Sequence, residues 1–179
     1  MTERRAYRLE FYVISFAVLF AAVYLAWQVA HGGVVTHHLL DQRSLPGFSN
    51  WWGLAIIPLI GWLAAWSVQR RAAVDATALT KAAAAAVGAL LVGVALSISF
   101  AIDRGGNATF YIFVAALASG LALPTYRAEY VFGFVIGMSV VFGLVLPSIL
   151  ALVAVTISVT FHFLVRPAFV WTVRRVRAS

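Results

Sequence analysis

Three histidines and an aspartate fall within eleven residues, His31-Gly32-Gly33-Val34-Val35-Thr36-His37-His38-Leu39-Leu40-Asp41. Neutral imidazole and carboxylate are the ligands that Zn(II), Cu(II) or Fe(II) accepts where thiolate is lacking, and the chain has no cysteine. Spacing limits what these groups can share. On a helix His37 and Asp41 would lie on one face, whereas His31 and His38 would stand about 10 Å apart along the axis. A single ion bound by both requires Gly32-Gly33 to break the helix and fold the segment back. Asp103 would then complete a set of three histidines and two aspartates. The competing expectation is a solvated polar loop, or a pH-sensing mouth that uses the same imidazoles.

The fourth histidine, His162, lies inside an apolar run, with Ser158 one helical turn before it. An ionisable group in such a run marks a pathway or a relay by default, so His162 and Ser158 are expected to line a polar route. The competing expectation is a neutral histidine hydrogen-bonded to a neighbouring helix. No acidic residue occupies the middle of an apolar run, which disfavours transport coupled through a membrane carboxylate. Walker loops, paired His-Glu metalloprotease helices, nucleophile elbows and dinucleotide fingerprints are all missing from the sequence.

The elements that must position these groups follow from composition. Of 179 residues, 63% are hydrophobic and 11% charged, against roughly 45–50% and 25% in soluble domains. The implied class is an all-α integral membrane protein, a single domain over residues 1–179. Apolar runs at about 11–30, 51–68, 82–101, 108–123, 131–146 and 148–165 predict six transmembrane helices. The last two divide at Pro147, the expected corner, because proline removes a backbone donor and clashes with the preceding turn. With both termini cytoplasmic, eleven basic residues lie inside and only Arg43 and Arg104 outside, a strong positive-inside bias. Met1-Thr2-Glu3-Arg4-Arg5 ahead of the first run is expected to be a retained signal anchor in a plasma or bacterial inner membrane. The net charge of +7 is gathered at the ends of apolar runs, which points to lipid head groups rather than nucleic acid.

Helices in a bilayer associate where small residues let backbones approach. Ala85, Ala89, Gly93 and Ser97 recur every four residues on the third helix, and the fifth carries Gly133-x-x-x-Gly137. Both are expected seams, within one chain or across a homo-oligomer or another membrane protein. Tyr7-Arg8-Leu9-Glu10-Phe11 and Tyr126-Arg127-Ala128-Glu129-Tyr130 echo each other at two helix starts. Were helices one and five neighbours, Arg8 would pair with Glu129, and Arg127 with Glu10. The functional expectation is a small channel or transporter with an outer vestibule at His31, His37, His38, Asp41 and Asp103. The alternatives are a metal-dependent membrane enzyme using that cluster, with Zn, Cu or Fe as cofactor, and an accessory subunit of a membrane complex.

Overall fold

The computed structural model describes residues 3–34, 36–38, 47–104 and 106–178. Helix α1 (Glu3–Ala30) ends where Gly32 and Gly33 take φ of 117° and 104°, a conformation that side chains with a Cβ resist. The chain then enters strand β1 (Thr36–His38), antiparallel to β2 (Gly47–Ser49), with His37 opposite Phe48. A short 3-10 turn, Asn50–Trp52, starts the second helix, and the Ser49 hydroxyl accepts from the Trp51 amide at 3.4 Å. Then come α2 (Gly53–Ala72), α3 (Ala78–Asp103), α4 (Asn107–Ala122), α5 (Ala128–Phe142) and α6 (Leu146–Thr160). A π-turn, Phe161–Val165, continues α6 into α7 (Arg166–Ala178).

Among the described residues, four helical segments are long and apolar enough to cross a membrane: Arg8–Ala30, Asn50–Ala72, Ala78–Asp103 and Leu146–Arg175. The other two expected spans are short, 16 residues in α4 and 15 in α5. At 1.5 Å per residue they reach about 22–24 Å, less than a hydrocarbon core of about 30 Å. The corner between the last two runs is not Pro147. It is Gly143, whose φ of 76° turns the chain, and Pro147 sits in the first turn of α6, where its missing N–H interrupts no helical bond.

Helix α5 is central, packed on α2, α3 and α6. Its closest partner is α3, and the two run parallel. A Cβ on Gly133 would strike the carbonyl of Ala86, one on Gly137 the carbonyl of Leu90, and one on Gly93 would stand 2.5 Å from the Phe134 carbonyl oxygen. The Ser97 hydroxyl closes the seam, shared between the carbonyls of Gly137 and Met138 at 3.3 and 3.2 Å. The seam on α3 is therefore Ala86, Leu90, Gly93 and Ser97. Ala85 and Ala89 belong to another face, because a strict four-residue repeat drifts about 40° per step on a helix with 3.6 residues per turn.

Helix α1 packs mainly on α2. Gly61 brings them together, since a Cβ there would lie 3.3 Å from that of Ala17. Where α1 ends, the fully buried Asn50 donates to Gln28 Oε1 at 3.3 Å and accepts from the Leu144 amide at 3.1 Å. One side chain thus ties α1 and the start of α2 to the α5–α6 corner. The bundle's exterior is apolar, with Phe11, Leu19, Leu91, Leu152 and Leu164 exposed, while Asn50, Ser97, Glu129, Ser139 and Ser158 are buried.

Candidate functional site

Of the expected cluster, only His31 and Asp103 have described side chains, and each is engaged close to its own helix. His31 folds back on its own helix, its Nδ1 at 2.8 Å from the Trp27 carbonyl and its ring stacked on the Trp27 indole. Asp103 is engaged by Thr109, accepting from its amide at 3.2 Å and from its hydroxyl. It thereby satisfies an amide in the first turn of α4, which no neighbouring carbonyl reaches. His37 and His38 are in a strand rather than on a helix, because pairing with β2 satisfies their backbone groups; their side chains, and Asp41, lie outside the described residues. Among the described residues no group of three His, Cys, Asp or Glu side chains could hold a metal ion.

His162 and Ser158 are both engaged with backbone carbonyls. His162 Nδ1 lies 2.9 Å from the Ser158 carbonyl one turn earlier, which the Phe161 amide also reaches. The imidazole edge packs on Tyr126. Ser158 is fully buried and donates to the Leu123 carbonyl at 3.3 Å, fastening α6 to the end of α4.

A concave site lies elsewhere, between α3, α4, α5 and α6. Helices α3 and α4 are bound together where the chain passes from one to the other, by the Ser99–Thr109 hydroxyl contact at 3.1 Å and the Asp103–Thr109 bonds. Away from that end a cavity of about 680 Å³ occupies the space between them. Ala84, Ala85, Gly88 and Ala89 form its α3 wall, Phe113, Ala116 and Leu117 its α4 wall, and Phe134, Leu150 and Ala154 close it behind. Its volume follows from side-chain size: a Cβ on Gly88 would meet nothing within 4 Å. So Ala85 and Ala89, expected to be packing residues, bound open space, whereas Gly93, Ser97, Gly133 and Gly137 do form the seam.

One end of this apolar cavity is polar, lined by Lys81, Ser119, Thr125, Arg127 and Glu129. Glu129 is 4% exposed, in the first turn of α5, where the positive end of the helix dipole favours a carboxylate. Its Oε1 accepts from Arg71 Nη2 at 2.7 Å, and Arg71 Nε in turn donates to the Ser67 carbonyl at 3.2 Å. The expected pairs of Glu129 with Arg8 and Arg127 with Glu10 do not form. Helix α2 rather than α1 lies beside the start of α5, so Arg71 reaches the carboxylate first. Glu129 Oε2 and Thr125 Oγ1 are buried without a hydrogen-bond partner among the described residues. Sequence reasoning singled out Glu129 but missed Arg71, Thr125 and Gly88. A basic pair, Arg70-Arg71, ending one helix and a carboxylate starting another was the available signal for the first.

Outside the bundle, Asp75 in the α2–α3 turn accepts from the Thr77 hydroxyl at 2.6 Å, the Thr77 amide at 2.8 Å and Lys81 at 3.0 Å. The bonds from Thr77 and then Lys81 lower its carboxyl from 3.8 to about 2.

Fold and site together define an apolar helical bundle that holds an interhelical cavity with one polar end. Comparison of the chain with protein-family models, curated proteins and solved structures finds no match.

Proposed function

We propose that the chain is a small membrane transporter whose working site is the α3–α6 cavity, where it takes up an amphiphilic solute. The observation that carries this reading is the cavity itself: about 680 Å³, apolar along its length and charged at one end. Small-molecule sites of roughly 300–1,000 Å³ with a few convergent polar groups are the usual form of a binding pocket. The apolar exterior and the four long apolar helices support insertion in a bilayer. The basic bias supports a cytoplasmic position for the cavity's polar end, with Arg71, Lys81 and Arg127, together with both termini. An amphiphile entering between α3 and α4 would keep its apolar part among small side chains and its head near Glu129. The metal-enzyme reading has less support, because among the described residues no group of three His, Cys, Asp or Glu side chains could hold a metal ion.

The test is transfer of a fluorescent single-chain amphiphile between leaflets of proteoliposomes. Wild-type protein is expected to accelerate it, and Gly88→Leu, which fills the cavity, is expected to return the rate to that of empty liposomes. Transfer unaffected by Gly88→Leu would refute the site. Tags at residues 75 and 179 that report the face opposite the cytoplasm would refute the orientation.

A further inference from the structure

The head group that the cavity selects can be read from the valences left open at its polar end; this inference rests on the transporter reading above. Glu129 brings a carboxylate into a site where it is 4% exposed, and only one of its oxygens is used among the described residues. Arg71 occupies Oε1 from the α2 side, while Oε2 is buried with no partner among the described residues, and Glu129 belongs to the cavity lining. Thr125 is in the same lining, and its Oγ1 is a second buried atom without a partner among the described residues. A buried carboxylate oxygen without a donor is the costliest kind of unmet acceptor, so a ligand that brings an N–H to it is favoured strongly over one that does not.

The remaining charges specify the rest of the head. Arg127 and Lys81 line the same end and are exposed at its mouth. Lys81 already shares its charge with Asp75, and Arg127 forms no ion pair among the described residues, so the mouth holds a surplus of positive charge. A ligand carrying only an ammonium would satisfy Glu129 but face that surplus. A ligand carrying only an anion would suit the mouth and leave Oε2 bare. We infer that the cavity binds a single-chain zwitterionic amphiphile, with a primary ammonium donating to Glu129 Oε2 and Thr125 and an adjacent phosphate or carboxylate held by Arg127 and Lys81. A phosphoethanolamine head on one acyl chain has this chemistry.

The experiment measures binding of three single-chain phospholipids to the purified full-length chain in neutral detergent by native mass spectrometry. They carry ethanolamine, choline and glycerol heads on the same acyl chain. Choline retains the positive charge but has no N–H, and glycerol retains the phosphate but has no ammonium. The ethanolamine lipid is expected to bind about tenfold or more tightly than the choline lipid, as loss of one charge-assisted hydrogen bond implies. Glu129→Gln should bring that ratio close to one. Arg127→Gln, at an exposed position, should weaken the ethanolamine and glycerol lipids alike, and it decides the anionic half even if Glu129→Gln does not fold. Equal binding of ethanolamine and choline lipids, both abolished by Gly88→Leu, would overturn the head-group assignment and leave the amphiphile site standing. Binding of none of the three, or binding indifferent to Gly88→Leu, would overturn the transporter reading itself.

Discussion

Helix α3 presents small residues on two faces, and the two have opposite fates. On one, Ala86, Gly93 and Ser97, together with the backbone of Leu90, meet α5 so closely that backbone touches backbone. On the other, Ala84, Ala85, Gly88 and Ala89 meet nothing comparable and bound a cavity. A small side chain does not itself attract a neighbour; it permits approach, and whether approach happens depends on what the neighbour presents. Helix α5 offers its own glycines, Gly133 and Gly137, so both backbones yield room at the same level. Helix α4 offers Phe113 and Leu117 across the cavity instead, and these prop the gap open.

The contrast is broken most severely at the seam. Gly133→Leu would drive a side chain into the Ala86 carbonyl, which has no freedom to move; overpacking of this kind costs about 3 kcal/mol or more where backbone must shift. Loss of monodisperse protein in size-exclusion chromatography is expected, and Gly93→Leu should follow for the same reason. A Gly133→Leu protein as heat-stable as wild type would mean that α3 and α5 do not pack as described. Next in size is Arg71→Ala, which leaves Glu129 buried and unpaired. Fully buried pairs lose about 3–5 kcal/mol when broken, and about 2–3 kcal/mol is expected here because Arg71 is 30% exposed. A thermal shift in detergent measures it, and Arg71→Lys should recover only part, having no planar fork.

Gly88→Leu sharpens the comparison from the other side. The same substitution on the same helix should change stability by no more than about 0.5 kcal/mol, as an unobstructed site allows, while abolishing amphiphile binding. The smallest effect belongs to Asp75, outside the bundle. Its carboxyl, lowered from 3.8 to about 2 by Thr77 and Lys81, ionises more readily in the folded turn than in an unfolded chain. Its contribution to stability is therefore complete above about pH 4 and is lost as the pH falls through 2. Asp75→Asn should remove that part of the acid sensitivity, and an NMR titration of the Asp75 carboxyl giving a midpoint near 4 would disprove it.

The helices were legible in the sequence because burial in lipid or in a core demands long apolar runs whatever the packing. Gly133 and Gly137 were legible because a four-residue glycine pair has few uses other than close approach. Ala85 and Ala89 were misassigned because a repeat of four tracks the wrong face by about 40° per step, and only the position of α5 decides which alanines count. The corner was placed at Pro147 rather than Gly143 for a related reason. Proline excludes itself from helix interiors but is welcome in a first turn, and it was Gly143 that supplied the positive φ. The cavity could not be read at all, since it exists only in the relative placement of four helices. Nor could Asn50 be seen as a clasp between three segments: its partner amide at Leu144 is 94 residues away.

The parallel pairing of α3 and α5 also sets an order of events during synthesis. The hydroxyl of Ser97 and the carbonyl of Gly137 that accepts from it are 40 residues apart in the chain, so at about 5–20 residues per second a ribosome delivers the second roughly 2–8 s after the first. Throughout that interval α3 has α2 behind it and α4 ahead of it for company, and the face that will meet α5 is bare. Assembly of the bundle's centre must wait for α5, and the hairpin that walls the cavity is in place before the seam that anchors it.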